Sequence, residues 1–104
     1  MNRNSESLEL LLQAFALLND PEEAGAFLED LCTITEINDM AQRLQTAVSL
    51  SRGENYQTIS KKVGISTATI SRVARCMNYG SGGYPSMLEK LKEKGLLENG
   101  SEKE

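Results

Sequence analysis

The sequence predicts an all-α fold with a helix-turn-helix at its centre. Apolar residues recur at i, i+3 and i+4 through most of the chain, no stretch alternates long enough to form a strand, and each apolar run opens on a residue suited to cap a helix. With 104 residues the chain can form one domain, although a core built from one copy alone is marginal.

The first helix runs from Ser5 to Leu18, with Ser5 or Ser7 as its N-cap. Nine of the eleven residues from Leu8 to Leu18 are apolar: Leu8, Leu11, Leu12, Phe15 and Leu18 make one stripe, and Leu10, Ala14 and Leu17 make another. A surface helix on a monomer needs only one stripe. Two stripes ask for burial on both sides, and so for a second chain.

Asn19-Asp20-Pro21-Glu22-Glu23 joins a cap, a proline at the first helical position and two acids at the positive helix end. It opens a second helix to about Cys32, with Phe27, Leu28 and Leu31 as its buried face. Thr33 or Thr35 caps a third helix to about Arg52, in which Ile37, Met40, Ala41, Leu44, Ala47 and Val48 face a core, and Gly53 closes it. Further on, Gly80-Ser81-Gly82-Gly83 reads as a flexible connector, because it lacks the Gly-Lys-Ser/Thr ending of a phosphate loop. A short helix from about Pro85 to Lys94 follows, and the polar residues 98–104 read as a disordered tail. The expected organisation is residues 1–55 for dimerisation and core, 56–79 for the helix-turn-helix, 80–97 for connector and last helix, and 98–104 for the tail.

Composition excludes several classes of function. Histidine is absent, which removes the commonest general base and zinc ligand, and no nucleophile has a base beside it, so neither catalytic nor metal-binding residues are expected. Cys32 and Cys76 belong to no C-x-x-C pair and read as reduced thiols packed as small hydrophobes. No apolar run is long enough to cross a bilayer and no secretion signal is visible, so the expected location is the cytoplasm, at the nucleoid.

The net charge of −4 conceals a strong asymmetry. Residues 1–51 hold Arg3 and Arg43 against nine acids, a net −7, whereas residues 52–79 hold Arg52, Lys61, Lys62, Arg72 and Arg75 against Glu54 alone, a net +4. Residues 80–104 carry −1. A basic segment in an acidic chain predicts one surface built to meet phosphates. The acidic half also suits an adaptor that binds protein through the same helices, which is the rival expectation.

Within the basic segment, Tyr56, Ile59 and Val63 lie on one face of a short helix, Gly64 can take the left-handed turn, and Ser66 caps a second helix. Ile70, Val73, Ala74 and Met77 are that helix's inner face, and Thr67, Ala68, Ser71, Arg72 and Arg75 its outer face, with Thr69 at the flank. Short side chains at the N-terminus let a helix approach base edges in a DNA major groove, and arginines reach guanines or phosphates. Thr67, Ala68, Thr69 and Ser71 are therefore expected at the bases, Arg72 and Arg75 at bases or phosphates, and Ser66 among the DNA-binding residues at the cap. Gln57, Lys61 and Lys62 are expected to hold the DNA backbone.

The phrase Gly64-Ile-Ser-Thr-Ala-Thr-Ile-Ser-Arg-Val73 resembles the recognition helix of two repressor families. In lactose-type repressors it stands at the extreme N-terminus before a sugar-binding domain, whereas about 55 residues of helix precede it here. Over nearly the whole chain the sequence instead resembles the Trp repressor superfamily in its YerC/YecD-like branch. The likeness is carried by Phe27-Leu-Glu-Asp-Leu-Cys-Thr33, by Ile37 to Leu44 with Ala41-Gln-Arg-Leu44, by Arg52-Gly-Glu54, by Ser66 to Arg72, and by Arg75-Cys-Met-Asn-Tyr-Gly80. The resemblance implies a Trp-repressor-like helical fold, an intertwined homodimer and regulation of transcription on double-stranded DNA, most simply as a repressor. It also implies a small-ligand site: Arg43 and Arg72 match the arginines that sandwich tryptophan, and Thr33 and Thr69 match two threonines beside it. Cys76 replaces a serine near the ligand amino group, Cys32 replaces a leucine of the pocket wall, and the first helix of the motif is one residue shorter. No cofactor is expected, and a small-molecule corepressor is possible but not expected. Arg43 can equally pair with a carboxylate and Arg72 with DNA.

Overall fold

The computed structural model describes residues 5–97, and among these every regular element is helical. The expected tail at 98–104 lies outside the described residues, as do residues 1–4. The helices are α1 (Glu6–Ala16), α2 (Pro21–Leu31), α3 (Ile34–Ser51), α4 (Tyr56–Ile59), α5 (Thr67–Tyr79) and α6 (Gly83–Glu93). Contacts divide the chain into two compact units, Met1–Ile37 and Asn38–Glu104, with α3 running from the first into the second.

Each helix of the first unit starts where a side chain satisfies an orphan amide of the first turn. Ser5, rather than Ser7, caps α1 by accepting from the Leu8 amide at 3.1 Å. Asp20 caps α2 by accepting from the Glu23 amide at 2.8 Å, while Glu23 reaches back to accept from the Asn19 amide at 2.9 Å. Thr33 rather than Thr35 caps α3, because Glu36 stands three residues on: the Thr33 hydroxyl accepts from the Glu36 amide at 3.1 Å, and the Glu36 carboxylate accepts from the Thr33 amide at 2.9 Å. This reciprocal pair is a capping box.

Phe15 meets Phe27 edge-to-face with ring centroids 5.8 Å apart, which joins α1 to α2. Yet none of the described residues of this unit is buried. Leu10 and Leu17 remain 72% and 74% exposed, so the second apolar stripe is largely uncovered in one chain, whereas Leu8, Leu11 and Leu18 of the first are half-buried.

In the second unit the far end of α3 is enclosed on all sides. Thr46, Ala47, Val48 and Ser49 are four successive buried residues, and at about 100° per residue they cover the full circumference of the helix. The core cluster joins Ala47 and Val48 of α3 to Val73 of α5 and Leu88 of α6, with Leu50, Met77, Tyr84 and Leu97 packed against it. Only the last part of the apolar stripe read in α3 enters this core. Met40, Ala41 and Leu44 are exposed, while Gln42 beside them is half-buried where this part of α3 lines a cavity with Ile65, Ser66 and Thr69.

α3 ends at a glycine. The Gly53 amide donates to Leu50 O at 3.0 Å and the Glu54 amide to Ser49 O at 3.2 Å, a Schellman closure that requires the positive φ of 82° found at Gly53.

Two expectations need correcting. α6 begins at Gly83, two residues before Pro85, so the last glycine of the cluster belongs to the helix and only Gly80 to Gly82 connect it to α5; Tyr84, in the added half-turn, packs against the core. Both cysteines are free, but neither is buried, and Cys76 is exposed beside a groove that one chain leaves open.

Candidate nucleic-acid interface

The helix-turn-helix is assembled from short-range caps and two longer ties. Asn55 caps α4, its Oδ1 accepting from the Thr58 amide at 2.8 Å. The helix then changes register and continues as a π-helical turn, Ser60–Gly64, in which hydrogen bonds step five residues instead of four. Gly64 has φ of 86°, the left-handed conformation predicted for the turn. The Ser60 hydroxyl donates to Ile65 O at 2.6 Å, and the Gln42 side-chain amide donates from α3 to Val63 O at 3.3 Å. Ser66 then caps α5, accepting from the Thr69 amide at 3.1 Å.

Substituting Gly64 tests the turn. A Cβ there meets its nearest neighbour, Gln42 Nε2, at 3.9 Å, an ordinary separation, so the cost is conformational and not steric. Gly64→Ala is expected to destabilise the fold by about 1–2 kcal/mol in denaturant unfolding. Unchanged stability would mean that the turn does not hold this conformation.

α5 separates its two faces cleanly. At about 100° per residue, Thr67, Ala68, Ser71, Arg72 and Arg75 fall within an arc of about 140°. Ile70 and Val73 on the opposite side are fully buried, and Ala74 and Met77 half-buried. Ile59 of α4 is also fully buried, so the two helices of the motif each contribute to the interior.

The predicted residues do not all stand alike. Thr67, Ala68, Arg72 and Arg75 are exposed, and Ser71 is half-buried. The hydroxyls of Ser66 and Thr69 lie 3.1 Å apart and serve the helix cap, so these side chains position α5 before they meet any partner. Gln57 and Lys61 join Thr67 along an open groove of about 420 Å³, together with Asn55, Thr58 and Ser60. The groove brings the starts of α4 and α5 to one surface. Asn55 and Thr58 are absent from the residues expected at the DNA, although an asparagine before an apolar run is a recognisable cap.

Lys62 departs most from expectation. Its ammonium lies 2.7 Å from Glu54 Oε1, and this hydrogen bond holds the Glu54 carboxyl below the usual carboxylate range. Lys61, Arg72 and Arg75 form no ion pair among the described residues, which leaves three exposed cations for phosphates or bases.

A match to a known family covers most of the chain: residues 6–92 fit the family described as Trp repressor protein. The chain belongs to the Trp repressor family. It is 47% identical over 88 residues to the YerC protein of Bacillus subtilis (strain 168), itself uncharacterized, with 85% of each chain covered. Its fold is similar to the crystal structure of a TrpR-like protein from Eubacterium eligens ATCC 27750, with a TM-score of 0.82, 43% identity, and 92% and 96% of the two chains covered. A candidate Trp repressor from Staphylococcus aureus gives a TM-score of 0.82 at 38% identity, covering 88% of this chain and 95% of that one.

Members of the Trp repressor family are regulators rather than enzymes, and membership points to a DNA-binding regulator. Among the described residues no helix is long and apolar enough to cross a membrane.

The residues that match the family's ligand site are only partly gathered. Arg43 and Thr69 line a cavity of about 260 Å³ with Asp39, Gln42, Ile65 and Ser66. Arg72 is not in its lining. Thr33 uses its hydroxyl to cap α3, and Thr69 shares its own with Ser66. Arg43 forms no ion pair among the described residues, so a carboxylate partner for it is not found there.

Proposed function

We propose that this Trp repressor family member is a sequence-specific DNA-binding regulator, acting as a repressor at the nucleoid, that reads the major groove with α5 as a homodimer. The observation that carries the reading is the outer face of α5, where small exposed residues at the N-terminus are followed by two arginines with no ion pair among the described residues. Thr67, Ala68 and Ser71 approach base edges, and Ala68 suits contact with a thymine methyl. The Ser66 and Thr69 side chains hold the start of α5 in place. Gln57 and Lys61 meet the backbone along the adjoining groove.

The exposed Leu10 and Leu17 support the homodimer, because a second copy would bury side chains that one chain leaves in water. Two α5 helices related by a two-fold axis would then address half-sites one helical turn, roughly 34 Å, apart.

A tryptophan-dependent repressor is the second reading, favoured by the cavity that Arg43 and Thr69 share. Selection from a pool of random DNA duplexes at two salt concentrations, with and without L-tryptophan, separates these readings. The expected result is enrichment of a two-fold symmetric site. Dependence on tryptophan would favour the second reading, and no enrichment under any condition would sink both and leave the protein-binding adaptor.

The Lys62 ion pair alters what salt dependence should show. Lys61→Ala is expected to weaken binding to all duplexes and lower the slope of log K against log salt by about 0.9 for each phosphate no longer neutralised. Lys62→Ala should change the slope less, since Glu54 already offsets its charge. Glu54→Gln should raise affinity for all duplexes by releasing Lys62. Equal effects of the two lysine variants would mean that the pair opens on DNA.

A further inference from the structure

We infer that Gln42 is a positioning residue for the DNA-reading helix, tying the turn of the helix-turn-helix to α3; this rests on the DNA-binding reading above. The last carbonyls of any helix lack partners within it. At the end of the Ser60–Gly64 turn, Val63 O finds one in Gln42 Nε2, 3.3 Å away and 21 residues earlier in the chain. The other tie at this point, from the Ser60 hydroxyl to Ile65 O, begins and ends inside the motif and fixes only its internal shape. Gln42 alone of the two joins the motif to another element.

The element to which it joins is suited to act as an anchor. One to two turns beyond Gln42, α3 is enclosed on all sides at Thr46, Ala47, Val48 and Ser49, so the helix has little freedom to shift relative to the core. Gln42 also lines one cavity with Ser66 and Thr69, the two residues that cap α5. The route is therefore short: core, α3, Gln42, turn carbonyl, α5 cap. Gly64, which follows Val63, has no side chain, and a Cβ there would lie 3.9 Å from Gln42 Nε2. A reading helix must hold its bases within a fraction of an ångström and some 10–20°, and supporting hydrogen bonds from rigid elements supply that tolerance.

The chemistry of the acceptor gives a sharp test. A carbonyl accepts and never donates, so Gln42→Glu keeps the shape of the side chain but presents only acceptors at neutral pH, and Gln42→Met keeps its bulk without polarity. Gln42→Lys can still donate. The full chain and these variants are compared in two measurements. The first is the ratio of affinities for the selected duplex and for a random duplex; the second is hydrogen exchange of the amides at 65–69 without DNA.

The Glu and Met variants are expected to lose about tenfold in the affinity ratio and to exchange several-fold faster over 65–69, with an unfolding midpoint close to that of the parent. The Lys variant should keep the ratio within about threefold. Unchanged exchange in the Glu and Met variants would overturn the inference. So would faster exchange with an unchanged ratio, which would make the bond structural only. Should the parent chain select no site, the DNA-binding reading falls, and the exchange comparison still decides whether Gln42 holds the turn.

Discussion

Ile70→Ala is expected to cost about 2–5 kcal/mol of folding stability, the largest effect foreseen for any single truncation in α5. Ile70 is fully buried, and removing its outer atoms leaves a void that a close-packed interior only partly closes. A chain of this size has a total stability of about 5–15 kcal/mol, so the variant should be partly unfolded at physiological temperature. Each kcal/mol lowers the unfolding midpoint of a domain of this length by roughly 4–8 °C, which makes thermal unfolding a sufficient measurement. Ala68→Ser, two residues away on the exposed face, is the control and should change stability by no more than about 0.5 kcal/mol. If the two variants behave alike, α5 is not seated on its Ile70 face and the inner and outer faces assigned to it are wrong.

What can be read from the sequence is mostly local. Ser5, Asp20, Thr33 and Ser66 all cap helices through bonds to an amide three residues on, a reach short enough for residue type and spacing to reveal. The reciprocal bond from Glu36 decides between Thr33 and Thr35, and its Thr-x-x-Glu spacing is present in the sequence. Gly64 is legible for a different reason: a sharp turn between two apolar faces needs a residue that tolerates positive φ.

The features that escape are those fixed by distant parts of the chain. Tyr56, Ile59 and Val63 repeat in a way that suits a continuous α-helix, and nothing in that pattern marks the π-helical turn from Ser60 to Gly64. The Gln42 tie spans 21 residues, and the Lys62–Glu54 pair spans eight, from the loop before α4 to the π-helical turn after it, so neither has a sequence spacing that would announce it. The apolar stripe of α3 is visible, but not that one chain buries only its last part. Periodicity tells which face of a helix wants cover; it does not tell whether that cover comes from the same chain. The exposed Met40 and Leu44, like Leu10 and Leu17, lie within helices that form as the pattern predicts, so their exposure is no error in the helix assignment.

Arg72→Ala should lower affinity for the selected DNA site by about five- to 150-fold per copy, corresponding to the roughly 1–3 kcal/mol of discrimination that a two-pronged arginine contact to a base contributes. Arg72 is exposed, forms no ion pair among the described residues and lies at the edge of the outer arc of α5, six positions into the helix. Arg75 lies one turn further along, about 4.5 Å deeper into the helix and away from the end that contacts base edges in this class of motif. The two arginines are thus expected to divide the work, Arg72 at a base and Arg75 at a phosphate. Arg72→Ala should relax preference at one position in each half-site, and Arg72→Lys should restore little, because an ammonium cannot reproduce the planar fork. Arg75→Ala should weaken all duplexes alike and lower the salt slope by about 0.9. Repeating the selection with each variant, alongside titrations at several salt concentrations, distinguishes the two patterns. If Arg72→Ala instead weakens selected and random duplexes equally, Arg72 is a backbone contact, and the reading of bases passes to Thr67, Ala68 and Ser71.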